Sequence, residues 1–222
     1  MNSKSQDQCL RCGTCCRKGG PALHHIDADL YLQGRLKKTE LLTLRKGELV
    51  FDNVQDRVVS LEQEIIRVRS MLKSRACVFF DSENNACSIY DYRPWECRAL
   101  KCWDPSELEM SYEKKRLNRF DLIAVSCALG EIVKDHEMKC SYARIRELVT
   151  VIRNDQDRQA MQELGSILDY DLSLREQMRQ KAGAESEELE FLFGPEQLLN
   201  QETARGEVKE NGSRFVFKEK AV

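Results

Sequence analysis

The chain has 222 residues, 41% hydrophobic and 32% charged, with a formal net charge of −2 and an isoelectric point near 6.0. This length fits one compact domain with appendages or two small ones, and the near-neutral balance excludes a global electrostatic case for nucleic acid or an anionic membrane surface. No apolar run is long enough to cross a bilayer, and the polar start Met1-Asn-Ser-Lys-Ser-Gln-Asp-Gln lacks the apolar core of a secretory signal, so the expected location is the cytoplasm and no membrane partner is expected.

In chain order, residues 9–16 read as a loop, because Gly13, Gly19, Gly20 and Pro21 break regular structure and allow tight turns. Asp27 is placed to cap a helix running through Leu30 and Tyr31 toward Leu36, and a second short helical piece is expected after Thr39. Residues 51–69 hold β-branched, partly alternating positions (Val58, Val59, Ile65, Ile66, Val68) that predict short strands beside the loops. Between Cys77 and Trp103, the turn formers Asp81, Ser82, Asn84, Asn85 and Pro94 predict mostly loop with one short strand.

Helices are expected to dominate afterwards. Leu122, Val125, Leu129 and Ile132 recur at helical spacing, as do Tyr142, Ile145, Leu148, Val149 and Ile152. A third helix is expected through Met161, Leu164, Ile167, Leu168 and Met178, ending near Gly183. Residues 185–190 are acidic and read as a solvated helix start or linker. Asn211-Gly212, between extended runs, predicts a β-hairpin over residues 207–218. The expected architecture is α+β and mainly helical, with cysteine-rich metal loops and a few short strands. Residues 1–110 form the cysteine-cluster region, 111–183 a helical region packing on it, and 184–222 a C-terminal extension.

Eight of the ten cysteines fall into two groups: Cys9, Cys12, Cys15 and Cys16, then Cys77, Cys87, Cys97 and Cys102. Disulfides are a poor account of them. They are rare in a reducing cytoplasm, and the adjacent Cys15 and Cys16 suit no simple structural bridge. Crowded thiolates need a soft cation, so metal chelation is the leading expectation. Cys9-x2-Cys12-x2-Cys15 matches the first three ligands of a bacterial ferredoxin run, but position 19 is Gly where the fourth Cys would stand. A [4Fe–4S] core would then take its last thiolate from Cys16 or the second group. Two four-thiolate Zn2+ sites drawing on both groups would consume all eight sulfurs instead, and spacing leaves both open. Arg11, Arg17, Lys18, Arg93, Arg98 and Lys101 are available to offset the negative charge, and Phe79, Phe80, Tyr90, Trp95 and Trp103 to exclude water.

Outside the groups, Cys127 and Cys140 are expected to pack as small hydrophobes, His24 and His25 to take surface or supporting roles, and His136 receives no assignment. A radical S-adenosylmethionine motif fails at Gly19, and Gly19-Gly20-Pro21 lacks the Lys-Ser/Thr of a phosphate-binding loop.

The run Cys9-x-x-Cys12-Gly13-x-Cys15-Cys16, followed by Cys87-x-Ile89-Tyr90-x-x-Arg93-Pro94-x-x-Cys97-Arg98, resembles the YkgJ-like cysteine cluster family of zinc- or iron-chelating domains. Cys77-Val-Phe-Phe also looks like that family's Cys before an apolar pair. The resemblance covers roughly residues 9 to 102. It implies a prokaryotic intracellular protein whose cysteines hold metal, and it supplies no substrate or protein partner. Its relation to flagellin lysine-N-methylases implies an iron–sulfur-dependent enzyme as one alternative; an electron carrier or a redox or metal sensor is another.

Overall fold

The structure, a computed structural model, describes residues 9–52, 54–71, 74–195, 208–210 and 215–217, the last two stretches as backbone strands. The chain begins with α1 (Thr14–Arg17) and α2 (Ala28–Leu32), then β1 (Leu41–Leu44), β2 (Leu49–Asp52), β3 (Arg57–Ser60) and β4 (Ile65–Val68). β1 pairs antiparallel with β4 from Leu41↔Val68 to Leu44↔Ile65, and β2 with β3 as a separate hairpin. The helical piece expected after Thr39 is confined to a 3₁₀ turn over Lys38–Glu40; residues 41–44 are a strand. Pairing with β4 buries Leu41 beside Ile66 and Val68, and this tertiary gain overrides the helical preference of a leucine-rich run.

β5 (Phe80–Asp81) and β6 (Ala86–Cys87) form a short antiparallel hairpin within the second cysteine group, followed by α3 (Trp95–Ala99) and α4 (Ser106–Glu109). The helix expected through Leu122 and Leu129 is two elements, α5 (Arg119–Leu122) and α6 (Ala128–Lys139), separated by a turn. The reason is local. Asn118 caps α5 by accepting the Phe120 amide at 2.9 Å, and the Cys127 sulfur accepts the Gly130 amide at 3.4 Å to start α6. A Cβ at Gly130 would lie 2.3 Å from the Ala124 carbonyl oxygen, so glycine lets the turn press against the helix. Cys127 is consequently exposed rather than a core residue, whereas Cys140 is fully buried as expected.

α7 (Tyr142–Asp155) and α8 (Arg158–Ala182) pack as a hairpin, burying Tyr142, Ile145, Leu148, Val149 and Ile152 against Ala160, Leu164 and Leu168. Asp157 caps α8 by accepting the Ala160 amide at 2.7 Å, and Gly183, at φ 64°, ends it. α9 (Ser186–Phe193) then returns to the main core, where Leu189, Phe191, Leu192 and Phe193 are buried and the Thr43 hydroxyl donates to the Phe191 carbonyl at 2.6 Å. Of the acidic residues here, Glu185 is exposed, Glu187 and Glu188 are half-buried, and Glu190 pairs with Arg69.

Three arginines buried behind this core are matched by carboxylates. Arg119 bonds both oxygens of Glu64 and reaches Glu137 at 2.7 Å; Arg45 takes Glu137 at 2.9 Å; Arg175 takes Asp171 at 2.9 Å. The fold is thus α+β and mainly helical. No helix among the described residues is long and apolar enough to cross a membrane. β7 (Val208–Glu210) pairs antiparallel with β8 (Phe215–Phe217), in the expected C-terminal hairpin; its turn at 211–214 lies outside the described residues.

Candidate metal centre

The two cysteine groups meet through the backbone. The Cys77 amide donates to the Cys16 carbonyl at 2.8 Å, docking the end of the first group on the start of the second. Gly13, at φ 74°, makes the turn into α1, and a Cβ there would stand 2.5 Å from the Phe80 ring, so only glycine fits against β5. Arg17 then ties three pieces together. It donates to the Cys12 carbonyl at 2.9 Å and to Asn85 Oδ1 at 2.6 Å, and its guanidinium lies over the Phe80 ring.

The second group is presented by the β5–β6 hairpin and α3. Cys87 is registered opposite Phe80 across the hairpin. Arg93 is extended (φ −57°, ψ 147°) before Pro94, as the Arg-Pro step predicts, and this places Cys97 in the first turn of α3. Arg93 donates to the Tyr90 carbonyl at 2.8 Å and stacks on the Tyr90 ring at 3.9 Å, and Arg11 from the first group stacks on the same ring at 4.0 Å. Tyr90 is therefore the contact point for cations from both groups.

All ten cysteines are free. A cavity of about 210 Å³ is lined by Cys9, Cys12, Cys15, Cys16, Cys87 and Cys102. A second, of about 410 Å³, is lined by Cys9, Cys15, Cys16, Cys77, Cys87 and Cys97. Four cysteines border both, so the cavities adjoin and together reach all eight grouped cysteines. Among the described residues, no three of these sulfurs lie within 4.8 Å of one another.

The thiols differ in how readily they ionise. Cys12 is held below the usual thiol range by Thr14, whose hydroxyl stands 3.3 Å from its sulfur. Cys15 is lowered to about 6, chiefly by a hydrogen bond from Cys16, which is itself pushed up by that bond and by burial. Burial raises Cys77, Cys87 and Cys97, and neighbouring sulfurs add to the rise, while the amides of Phe79 and Ile89 favour the Cys77 and Cys87 thiolates. Such a cluster keeps several protons until a soft cation displaces them. The donor set fits zinc or an iron–sulfur core: eight sulfurs, backbone amides beside five of them (Arg11 N to Cys9 Sγ is 3.4 Å), and cations nearby.

Of the cations expected to help, Arg11, Lys18 and Arg93 line the cavities, whereas Arg98 stands 3.8 Å from Asp27 and Lys101 pairs with Glu107. Phe79, Phe80, Tyr90 and Trp103 line the cavities as expected; Trp95 instead packs at a tilt of 59° against His24, ring centroids 4.6 Å apart. His24 is buried rather than on the surface, with Nδ1 2.8 Å from the Lys114 carbonyl and Nε2 3.2 Å from Glu96, a wall residue of the larger cavity. Arg67 is a wall residue that sequence reasoning missed. It donates to the Gly20 carbonyl at 2.9 Å, and burial lowers its pKa against the pull of Glu96 and Cys77. Arg67 and Glu96 carry no spacing signal, because they stand on β4 and α3 and are brought to one wall only by the fold.

No curated protein and no solved structure matches the chain. The sequence model of one family, CxxCxxCC, described as a "Putative zinc- or iron-chelating domain", matches residues 8–128, a stretch that contains both cysteine groups and both cavities. With more than half of its length matched, the chain belongs to the CxxCxxCC family.

Proposed function

We propose that the eight grouped cysteines hold metal as thiolates, with an iron–sulfur cluster of the [4Fe–4S] type as the favoured occupant and zinc as the second reading. The observation that carries this is the shared border of the two cavities, where Cys9, Cys15, Cys16 and Cys87 line both and the other four complete the ring. The Cys9-x2-Cys12-x2-Cys15 triplet favours the cluster, because it matches the first three ligands of a bacterial ferredoxin run.

When bound, a cluster supplies a reversible one-electron couple. The chain's own contribution is to offset its charge with Arg11, Lys18 and Arg93 and to shield it with Phe80 and Tyr90. In this reading, residues 1–110 are the metal-holding region, residues 111–183 support it, and the free thiols belong in a reducing compartment such as the cytoplasm.

An electron carrier or a redox or metal sensor needs nothing more. An iron–sulfur-dependent enzyme, related to the flagellin lysine-N-methylases, is a second reading with its own observation. The larger cavity exceeds what an inorganic core occupies, and Arg67 and Glu96 sit in its otherwise largely apolar wall.

The test is the metal content and absorption spectrum of anaerobically purified protein, in wild type and in the Cys12→Ser/Cys97→Ser variant. The expected outcome is a brown protein containing iron and acid-labile sulfide, with both lost in the variant. A colourless protein with zinc alone would move the assignment to zinc. Unchanged metal in the variant would remove the eight-cysteine site.

A further inference from the structure

Away from the cysteine cavities, α6 and α8 bring together a second set of donors. His136, Cys140 and Asp171, all buried, place one ligand atom each within 4.8 Å of one another. His136 and Cys140 are four residues apart at the end of α6, so both lie on one face of that helix, and Asp171 comes across from α8.

His136 Nε2 is 2.6 Å from Asp171 Oδ1, and its Nδ1 is buried with no hydrogen-bond partner. The Cys140 thiol donates only a long bond, at 3.8 Å, to the Ile167 carbonyl. A cation shared by the three side chains would take the place of the proton between Nε2 and Asp171 Oδ1, with Nδ1 then carrying the imidazole N–H. Asp171 is prepared to ligate it, because Arg175 Nε holds its second oxygen at 2.9 Å, the kind of outer bond that orients a ligating carboxylate.

Arg45 and Arg175 stand close by and oppose a cation. Each is already engaged by a carboxylate, Arg45 by Glu137 and Arg175 by Asp171, and uptake releases the Cys140 proton, which removes half of the added charge. One nitrogen, one sulfur and one carboxylate oxygen form the mixed donor set that zinc accepts.

We propose that His136, Cys140 and Asp171 form a second metal site, for a zinc-class divalent ion, that pins α6 to α8 independently of the eight grouped cysteines.

The experiment strips full-length protein with chelator, adds zinc alone, and counts the zinc retained per chain. Cys140→Ser, which conserves shape, is expected to hold one equivalent fewer than wild type. The Cys12→Ser/Cys97→Ser variant is expected to keep that equivalent, and its cobalt(II) form to show a thiolate-to-cobalt band that weakens when Cys140→Ser is added. Equal zinc in wild type and Cys140→Ser overturns the proposal. If Cys140→Ser does not fold, a Cys12→Ser/Cys97→Ser protein that takes up no cobalt overturns it as well.

Discussion

The cysteine region and the buried arginine region solve opposite electrostatic problems. Around Glu137, the protein supplies both signs of charge itself: Arg45 and Arg119 share one carboxylate, Glu64 takes the rest of Arg119, and the Leu192 carbonyl accepts from Arg119 Nη1 at 2.5 Å. Around Cys9 to Cys102, it supplies many ligands of one kind and only a few cations at the rim. The first region balances its charges within the protein, with Arg45 Nη1 the one arginine atom there left without a hydrogen bond among the described residues. The second is crowded with thiols whose ionisation is opposed by burial and by one another, an opposition that a cation inside would relieve in the proposed reading. The two regions should therefore respond differently to the same treatments.

Metal removal should separate them most. Thiolate–metal binding carries on the order of 10 kcal/mol where it is coupled to folding. A chelated protein should lose amide protection at residues 9–22 and 77–102 while α7 keeps its own, as hydrogen exchange read by mass spectrometry would show. Equal protection loss in both regions would mean that the arginine region depends on metal too.

The converse perturbation is Arg119→Ala, which leaves Glu64 and Glu137 facing a buried gap. Breaking a buried pair costs about 3–5 kcal/mol. Denaturant melts should report a loss of that size, with metal content per folded chain unchanged.

Gly13→Ala sharpens the comparison at one backbone position. An added Cβ meets the Phe80 ring at a left-handed φ, a strain of roughly 1–3 kcal/mol. Because the strain sits at the turn that presents Cys12 and Cys15, metal affinity should fall with stability, whereas Arg119→Ala should lower stability alone.

pH acts on metal affinity and leaves the arginine region aside. Cys16, Cys77, Cys87 and Cys97 have raised pKa values, so they are protonated at neutral pH and metal uptake must displace those protons. Affinity should rise with pH, about tenfold per unit for each proton released. Cys15, lowered to about 6, needs no such displacement above that pH, so the dependence should steepen by one further proton below it. Competition with a chelator across pH 5 to 8 measures the slope, and a flat profile would mean that thiolates are not the ligands.

The parts of this molecule legible in the sequence are those fixed by local chemistry. The breakers Gly13 and Pro94 mark where the cysteine loops turn, and the period of Tyr142, Ile145, Leu148, Val149 and Ile152 gives α7. Asn118 and Cys127 each start a helix inside a run that reads as one helix, because the tight approach of Ala124 to Gly130 is a tertiary contact with no periodic signature. Strand β1 was hidden for the same reason: Leu41-Leu42-Thr43-Leu44 becomes a strand through β4 and α9, which arrive from far along the chain. At the site, cysteine identity and spacing stand out in the sequence. The roles of Arg67, His24 and Glu96 do not, since each depends on β4, the 3₁₀ turn after Leu23 and α3 packing side by side.

The central claim is that sulfurs from both groups surround a common inorganic centre, and X-ray absorption at the metal edge of anaerobically purified protein addresses it most directly. The account predicts a metal shell made of sulfur, with iron–iron scattering at short range for the favoured cluster, and loss of that shell when Cys97 alone is replaced by Ser. A shell of oxygen and nitrogen, or one unaffected by Cys97→Ser, would contradict it.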